Sequence, residues 1–198
     1  MDLGVLLMEQ TTIYHNTKEE YLSMMKGYSI DNPMLTALNL VKPNSLVLSA
    51  GCGTGREVDY LVNVLKCRVV AVDIDEKAIE LSKVQEIYAE YILGDMVSMK
   101  FENKFDYIVC LYNTINYLEK DYRKVFIETC YSNLKENGEL ILTTAHVFNH
   151  WRFLLHNIKY HTHYYPFPYE IDEWFEDTSF NRYIKKRIGR GILIRATK

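Results

Sequence analysis

The stretch Ser45-Leu46-Val47-Leu48-Ser49-Ala50-Gly51-Cys52-Gly53-Thr54-Gly55-Arg56-Glu57 constrains this chain more than any other. An apolar run of strand length enters a loop with glycine at every second position. The pattern Val58, Leu61, Val62, Leu65 that follows has helical spacing. Strand, glycine turn and helix in succession aim free backbone N–H groups and a positive helix end at one point, which suits an anionic ligand group. Glycine serves there because the turn demands unusual backbone angles and a Cβ would block the approach of a ligand. The spacing is Gly-x-Gly-x-Gly. Arginine at position 56 breaks the Gly-x-Gly-x-x-Gly of dinucleotide enzymes, which points away from NAD.

Two further elements follow at fitting distances. Cys67 to Asp75 reads C-R-V-V-A-V-D-I-D, an apolar strand ending in Asp73, about 20 residues beyond the loop. In a doubly wound sheet that acid lies at the carboxyl end of the neighbouring strand, where it can accept hydrogen bonds from ribose hydroxyls. Tyr88 to Met96 reads Y-A-E-Y-I-L-G-D-M, another strand end carrying a Gly94-Asp95 pair. A glycine loop alone would equally serve as a strand-to-helix turn in some other α/β protein; the three pieces in register favour a ligand site.

Together they resemble the class I S-adenosylmethionine-dependent methyltransferases, whose usual run is V-L-D-x-G-C-G-T-G, then V-D-I-S-P, then G-D-A. The resemblance implies that Gly51, Cys52, Gly53 and Thr54 cradle the methionine part of the cofactor. Asp73 would hold the ribose and Ile74 would pack on the adenine. Asp95 would accept from the adenine amino group with Met96 beside it, and Leu111, at the end of the fourth strand, completes the cofactor-contacting set. The chain departs from the family at Ser49, where an acid often helps to fix the loop and the cofactor's ammonium. A serine hydroxyl can still accept a hydrogen bond.

The rest of the pattern is consistent with that fold. Thr17-Lys18-Glu19-Glu20 is a capping-box pattern that starts a helix running to about Gly27. Asn32-Pro33 offers an N-cap and a first-turn proline for a second helix to about Val41. Tyr14, Tyr21 and Tyr28 recur every seven residues. Strands are expected over Arg68–Val72, Tyr91–Leu93, Phe105–Leu111 and Glu139–Thr144. A helix is expected from Asp121 to Lys135, with Val125, Ile127, Cys130 and Leu134 inward and Asn137-Gly138 as its stop. Strands alternating with helices specify a parallel sheet with right-handed crossovers. Arg182–Ile188 and Gly191–Thr197 flank Gly189-Arg190 and read as a terminal antiparallel hairpin. The expected architecture is thus α/β, a doubly wound, mostly parallel seven-stranded sheet closed by that hairpin. One domain is expected over residues 1–198, in which the resemblance implies that residues 1–41 form an N-terminal helical lid and 145–170 an acceptor insert.

Bulk properties narrow the classes further. With 198 residues the chain has room for a sizeable single core, and its 48% apolar and 25% charged content is that of a globular protein. A net charge of −3 gives no global attraction for nucleic acid, and no apolar run has the length of a membrane span. Met1 to Met8 lacks the basic region and cleavage site of a signal peptide. Cys52, Cys67, Cys110 and Cys130 show no disulfide-like spacing and read as reduced thiols, so a cytoplasmic location is expected.

Chemistry should sit beyond the carboxyl ends of the strands. Tyr112-Asn113-Thr114-Ile115-Asn116-Tyr117 follows strand four and Ala145-His146-Val147-Phe148-Asn149-His150-Trp151 follows strand five. Methyl transfer needs a nucleophile aligned with the methyl group and, for an amine or hydroxyl acceptor, a base. His146 is the candidate base, with His150 a second and Tyr112 and Asn113 as orienting partners. Strand four lacks the Asn/Asp-Pro-Pro-Tyr of DNA adenine methyltransferases, which disfavours an extruded base as substrate. Residues 146–169 hold five of the six histidines and eight aromatic residues besides. Such walls suit an aromatic acceptor or an amine that gains charge with its methyl groups. No acid or cysteine completes a metal set there, and no metal is expected. Seven basic residues and no acid in 182–198 read as a solvated face. A small-molecule nitrogen or oxygen acceptor is therefore expected. An RNA- or protein-directed enzyme and a non-catalytic cofactor-binding subunit are the rivals.

Overall fold

The computed structural model describes residues 30–84, 87–149 and 164–198. The helix expected over Thr17–Gly27, the three periodic tyrosines, His150 and the middle of the aromatic insert lie outside the described residues.

The strands are β1 (Leu46–Ala50), β2 (Arg68–Asp73), β3 (Glu90–Leu93), β4 (Phe105–Cys110), β5 (Leu134–Thr144), β6 (Tyr183–Ile188) and β7 (Gly191–Thr197). They form one sheet in the order β3-β2-β1-β4-β5-β7-β6. The first five run parallel, and β7 inserts antiparallel between β5 and β6. The sequence reading of a doubly wound sheet with a terminal hairpin holds. Five helices accompany the sheet among the described residues: α1 (Asn32–Leu38), α2 (Arg56–Asp59, continued by a π turn over Tyr60–Val64), α3 (Glu76–Lys83), α4 (Lys120–Asn133) and α5 (Pro168–Glu173).

Alternate residues of each central strand enter opposite cores, as a sheet covered on both faces requires. Val47, Ala71, Val109 and Ile141 pack with Leu38 of α1, Val58 and Leu61 of α2 and Ile79 of α3. Leu48, Val72, Ile108 and Leu142 pack with Phe126, Ile127 and Cys130 of α4 and Ile171 of α5.

Three details differ from the sequence expectation. Asp31, not Asn32, caps α1: its side chain accepts the Met34 N–H at 2.9 Å, which leaves Pro33 in the first turn. Helix α4 stops at Asn133, and β5 starts at once with Leu134, which pairs with Phe105. Asn137 and Gly138 therefore lie in the irregular start of a strand and are not a helix stop. Val125 points outward, 48% exposed, because the buried stripe of α4 runs through Arg123, Phe126, Ile127, Cys130 and Asn133.

The basic tail is partly tied into the structure. The Arg195 guanidinium donates to both Glu139 carboxylate oxygens, Lys185 pairs with Asp172, and Lys198 donates to the carbonyls of Tyr131 and Leu134.

The buried end of α4 also holds the loop after β3. Asn133 Oδ1 accepts the Phe101 N–H at 3.0 Å, and its Nδ2 donates to Met99 O at 3.0 Å and Thr129 O at 2.9 Å. Replacing Asn133→Ala strands two loop peptide groups, each worth about 1–3 kcal/mol when left unsatisfied. A urea unfolding series should show a loss in that range, and an unchanged midpoint would refute the tie.

Candidate functional site

The polypeptide turns sharply between β1 and α2. Gly51, Gly53 and Gly55 all have left-handed φ, at 68°, 52° and 81°. Gly51 has a second constraint, since a Cβ there would lie 2.1 Å from Cγ2 of Thr114. The loop is tied to the end of β2. Val72 O accepts the Gly51 and Cys52 N–H groups at 2.8 and 3.0 Å, and Asp73 Oδ2 accepts the Gly53 N–H at 2.6 Å. The other oxygen of Asp73 accepts the Asp75 N–H at 2.9 Å. Asp75 in turn caps α3 by accepting from Lys77 and Ala78.

This end of the sheet opens into a cleft of about 1540 Å³. Gly51, Cys52, Gly53, Thr54, Arg56 and Glu57 form its loop wall. Asp73 and Ile74 come from the end of β2, and Asp95 and Met96 from the end of β3. Tyr112, Thr114 and Tyr117 close it from the end of β4. Ile74 is an apolar side chain 40% exposed on that surface, which gives a flat ring something to rest on. Asp95 Oδ1 accepts the Val97 N–H, which fixes the turn after β3.

Of the residues singled out by sequence, eight of the nine cofactor candidates line this one cleft, as does Tyr112. Leu111 does not: its side chain is buried in the core shared with α1 and α2, and its carbonyl accepts from Thr114. Asn113 is also off the lining. It follows Tyr112 in a run of two left-handed residues, φ 55° and 64°, that swings the chain across the end of β4. A left-handed tyrosine costs about 1–2 kcal/mol, and the Tyr112 N–H donated to Thr143 Oγ1 at 3.0 Å helps to hold it. Arg56 lies over the Tyr112 ring, 5.7 Å from its centroid.

His146 stands apart from the cleft lining. It packs edge-on to Phe148, and its Nδ1 is buried without a hydrogen-bond partner among the described residues. Burial first and then Arg187 hold the imidazole below its ordinary pKa, so it is neutral at pH 7. Among the described residues no group of His, Cys, Asp and Glu has metal-binding geometry. All four cysteines are free and buried, and burial pushes the Cys52 and Cys110 thiols far up.

The sequence reading missed Glu57. This acid is 4% exposed, and its Oε1 accepts a 2.5 Å hydrogen bond from Ser49 Oγ. Burial pushes its carboxyl up to about 7; the Ser49 hydrogen bond acts in the opposite direction. The only sequence signal was an acid at the first turn of the helix after the glycine loop.

Two outcomes follow from this geometry. Gly51→Ala should lower the melting temperature through both the left-handed backbone and the Thr114 contact. Adding Thr114→Ser, which removes Cγ2 and keeps the hydroxyl, should restore part of the loss but not all. Glu57, with its folded pKa raised, favours folding fully at pH below its unfolded value. That contribution fades as pH rises through about 7. From roughly pH 5 to 8, wild type should lose stability relative to Glu57→Gln, and parallel melting curves would contradict it.

Residues 47–138 match the family described as "Methyltransferase domain". The carboxy-S-adenosyl-L-methionine synthase of Vibrio vulnificus is 29% identical over 133 residues, covering 62% of this chain and 54% of that protein. The chain thus spans about half the length of the curated relatives it matches. A TehB-like S-adenosylmethionine-dependent methyltransferase from Corynebacterium glutamicum superposes with a TM-score of 0.67 at 19% identity, covering 91% of this chain and 97% of that one. Human N-acetylserotonin methyltransferase gives 0.72 at 17% identity, over 96% of this chain and 59% of its own. The structural likenesses are to the fold described above. Residues 47–138 thus match a methyltransferase-domain family, and the chain has the fold of S-adenosylmethionine-dependent methyltransferases.

Proposed function

We propose that the cleft binds S-adenosylmethionine and that the chain transfers its methyl group to a nitrogen or oxygen of a small molecule. The observation that carries this is the continuity of one cleft from the glycine loop, past Asp73 and Ile74, to Asp95 and Met96. Gly51, Cys52, Gly53 and Thr54 would hold the methionine part. Asp73, whose oxygens each accept one backbone N–H, retains lone pairs for the ribose hydroxyls. Ile74 would support the adenine and Asp95 would accept from its amino group. When bound, the cofactor supplies a methyl group on a positively charged sulfur.

The chain's own contribution is alignment and exclusion of water. Tyr112 and Tyr117 stand at the wall where an acceptor would meet the methyl group. Holding two reactants in line can be worth about 7–11 kcal/mol, enough to dominate catalysis without a dedicated base. No histidine lines the cleft among the described residues, so alignment carries this reading. His146, neutral at pH 7, remains the candidate base, with Asn113 setting the turn that carries Tyr112.

A second reading comes from the relatives named carboxy-S-adenosyl-L-methionine synthase. Here the cofactor would itself be the substrate, its methyl carbon losing a proton and gaining a carboxyl group from a carboxyl-donating co-substrate. An RNA-directed activity finds less support, because Arg195, Lys185 and Lys198 are engaged in the fold.

Calorimetric titration with S-adenosylmethionine and S-adenosylhomocysteine tests the cofactor assignment. Both should bind, and Asp73→Ala should weaken binding about tenfold or more, as loss of a charged hydrogen bond does. No binding by the folded wild type would overturn it. Mass spectrometry of reactions with small amines and phenols then separates a methylated acceptor from a carboxylated cofactor.

A further inference from the structure

Two acids are built into the loop end of the cleft, and they are used differently. Asp73 already accepts two backbone N–H groups, from Gly53 and Asp75. Glu57 is deeper, in the first turn of α2, and lines the same cleft beside Cys52 and Thr54. Its fixed polar partner is the Ser49 hydroxyl on β1, and it forms no ion pair among the described residues. Neighbouring Arg56 is the weakest of the influences on it. The groups facing it from the other elements are Cys52 in the loop, Asp73 on β2 and Cys110 on β4, so Arg56 is the one positive charge among those acting on it. A buried carboxylate that borders a cleft and has no ion-pair partner gains from a cation brought into that cleft.

We propose that Glu57 receives the ammonium of the cofactor's methionine part, with the Ser49 hydroxyl holding its Oε1 in place. This rests on the cofactor reading above. The charge that the family often carries at position 49 would be delivered here from the helix, eight residues further along, onto the same spot. Binding would also move a proton. Burial keeps much of Glu57 protonated near pH 7, and an incoming ammonium favours the ionised form, so the proton leaves to buffer.

The experiment compares S-adenosylhomocysteine with methylthioadenosine, which shares the adenosine and thioether but has neither ammonium nor carboxylate. In calorimetric titration, Glu57→Gln should weaken S-adenosylhomocysteine about tenfold or more and leave methylthioadenosine within about twofold. Retained methylthioadenosine binding certifies that the variant is folded. Moving the acid back, with Ser49→Asp in the Glu57→Gln background, should recover most of the lost affinity. Titrations at pH 7 in buffers of different ionisation enthalpy should show proton release in wild type and less in Glu57→Gln. Equal weakening of both ligands, or no weakening of S-adenosylhomocysteine, would overturn the role of Glu57 while leaving the cofactor assignment intact. Wild type binding neither ligand would overturn both.

Discussion

The carboxylate of Asp73 is the contact on which the site depends. One oxygen takes the Gly53 N–H and the other the Asp75 N–H, so a single side chain closes the glycine loop and sets the start of α3. Val72 O, one residue earlier, receives two more loop N–H groups. A loop with three left-handed glycines has no conformational preference of its own that would hold it across the sheet. Its shape is imposed by acceptors at the end of β2. Because β2 pairs with β1 over five residues, the loop's entry and its anchor are parts of one rigid piece. Burial raises the Asp73 pKa while its two backbone hydrogen bonds act to lower it, which shows how far the charge is withdrawn from water to do this.

That arrangement was legible in the sequence because its parts are local. Glycines at alternate positions, an apolar run ending in Asp73 and another ending in Asp95 each announce a strand end, and a doubly wound sheet brings strand ends together. The terminal hairpin was legible for the same reason, with Gly189-Arg190 between two runs of equal length. The boundary between α4 and β5 was not. Asn137-Gly138 is a good helix stop by composition, yet Leu134 pairs with Phe105 and Asn133 is buried against a loop more than 30 residues away. Tertiary pairing decided the boundary against local propensity. The inward face of α4 was misjudged at Val125 because its buried stripe includes Arg123, a residue that no apolar pattern would place inside.

The same limit hid the relation between Ser49 and Glu57. Ser49 read as a missing charge because sequence shows only what occupies a position. The fold shows that a strand residue and a first-turn helix residue, eight apart, meet at 2.5 Å. The acid absent at position 49 is thus matched by one that reaches the same hydroxyl from the helix. His146 and Asn113 illustrate the reverse case. Both sit beyond strand ends as expected, but being near the crevice in sequence did not bring either onto its described lining.

The segment that leaves after β5 and returns before α5 is held at both of its described stems. The Val147 N–H donates to Pro166 O at 3.1 Å, so departing and returning strands of chain are fastened to each other. The returning stem is fastened again where the Tyr164 N–H donates to Asn116 O, and Asn116 Oδ1 accepts from Thr144 at the end of β5. Arg123 lies over the rings of Tyr164 and Trp174, and Glu170 accepts both the Tyr164 hydroxyl and the Phe167 N–H. The buried Arg123 guanidinium is held by its Nε–H, which donates to Leu118 O at 3.1 Å, and by the faces of the two rings. These ties fix the two described stems to each other and to the end of β5. The cleft is thereby built from strand ends and backbone, while the segment after β5 is fastened to the sheet at its two described stems.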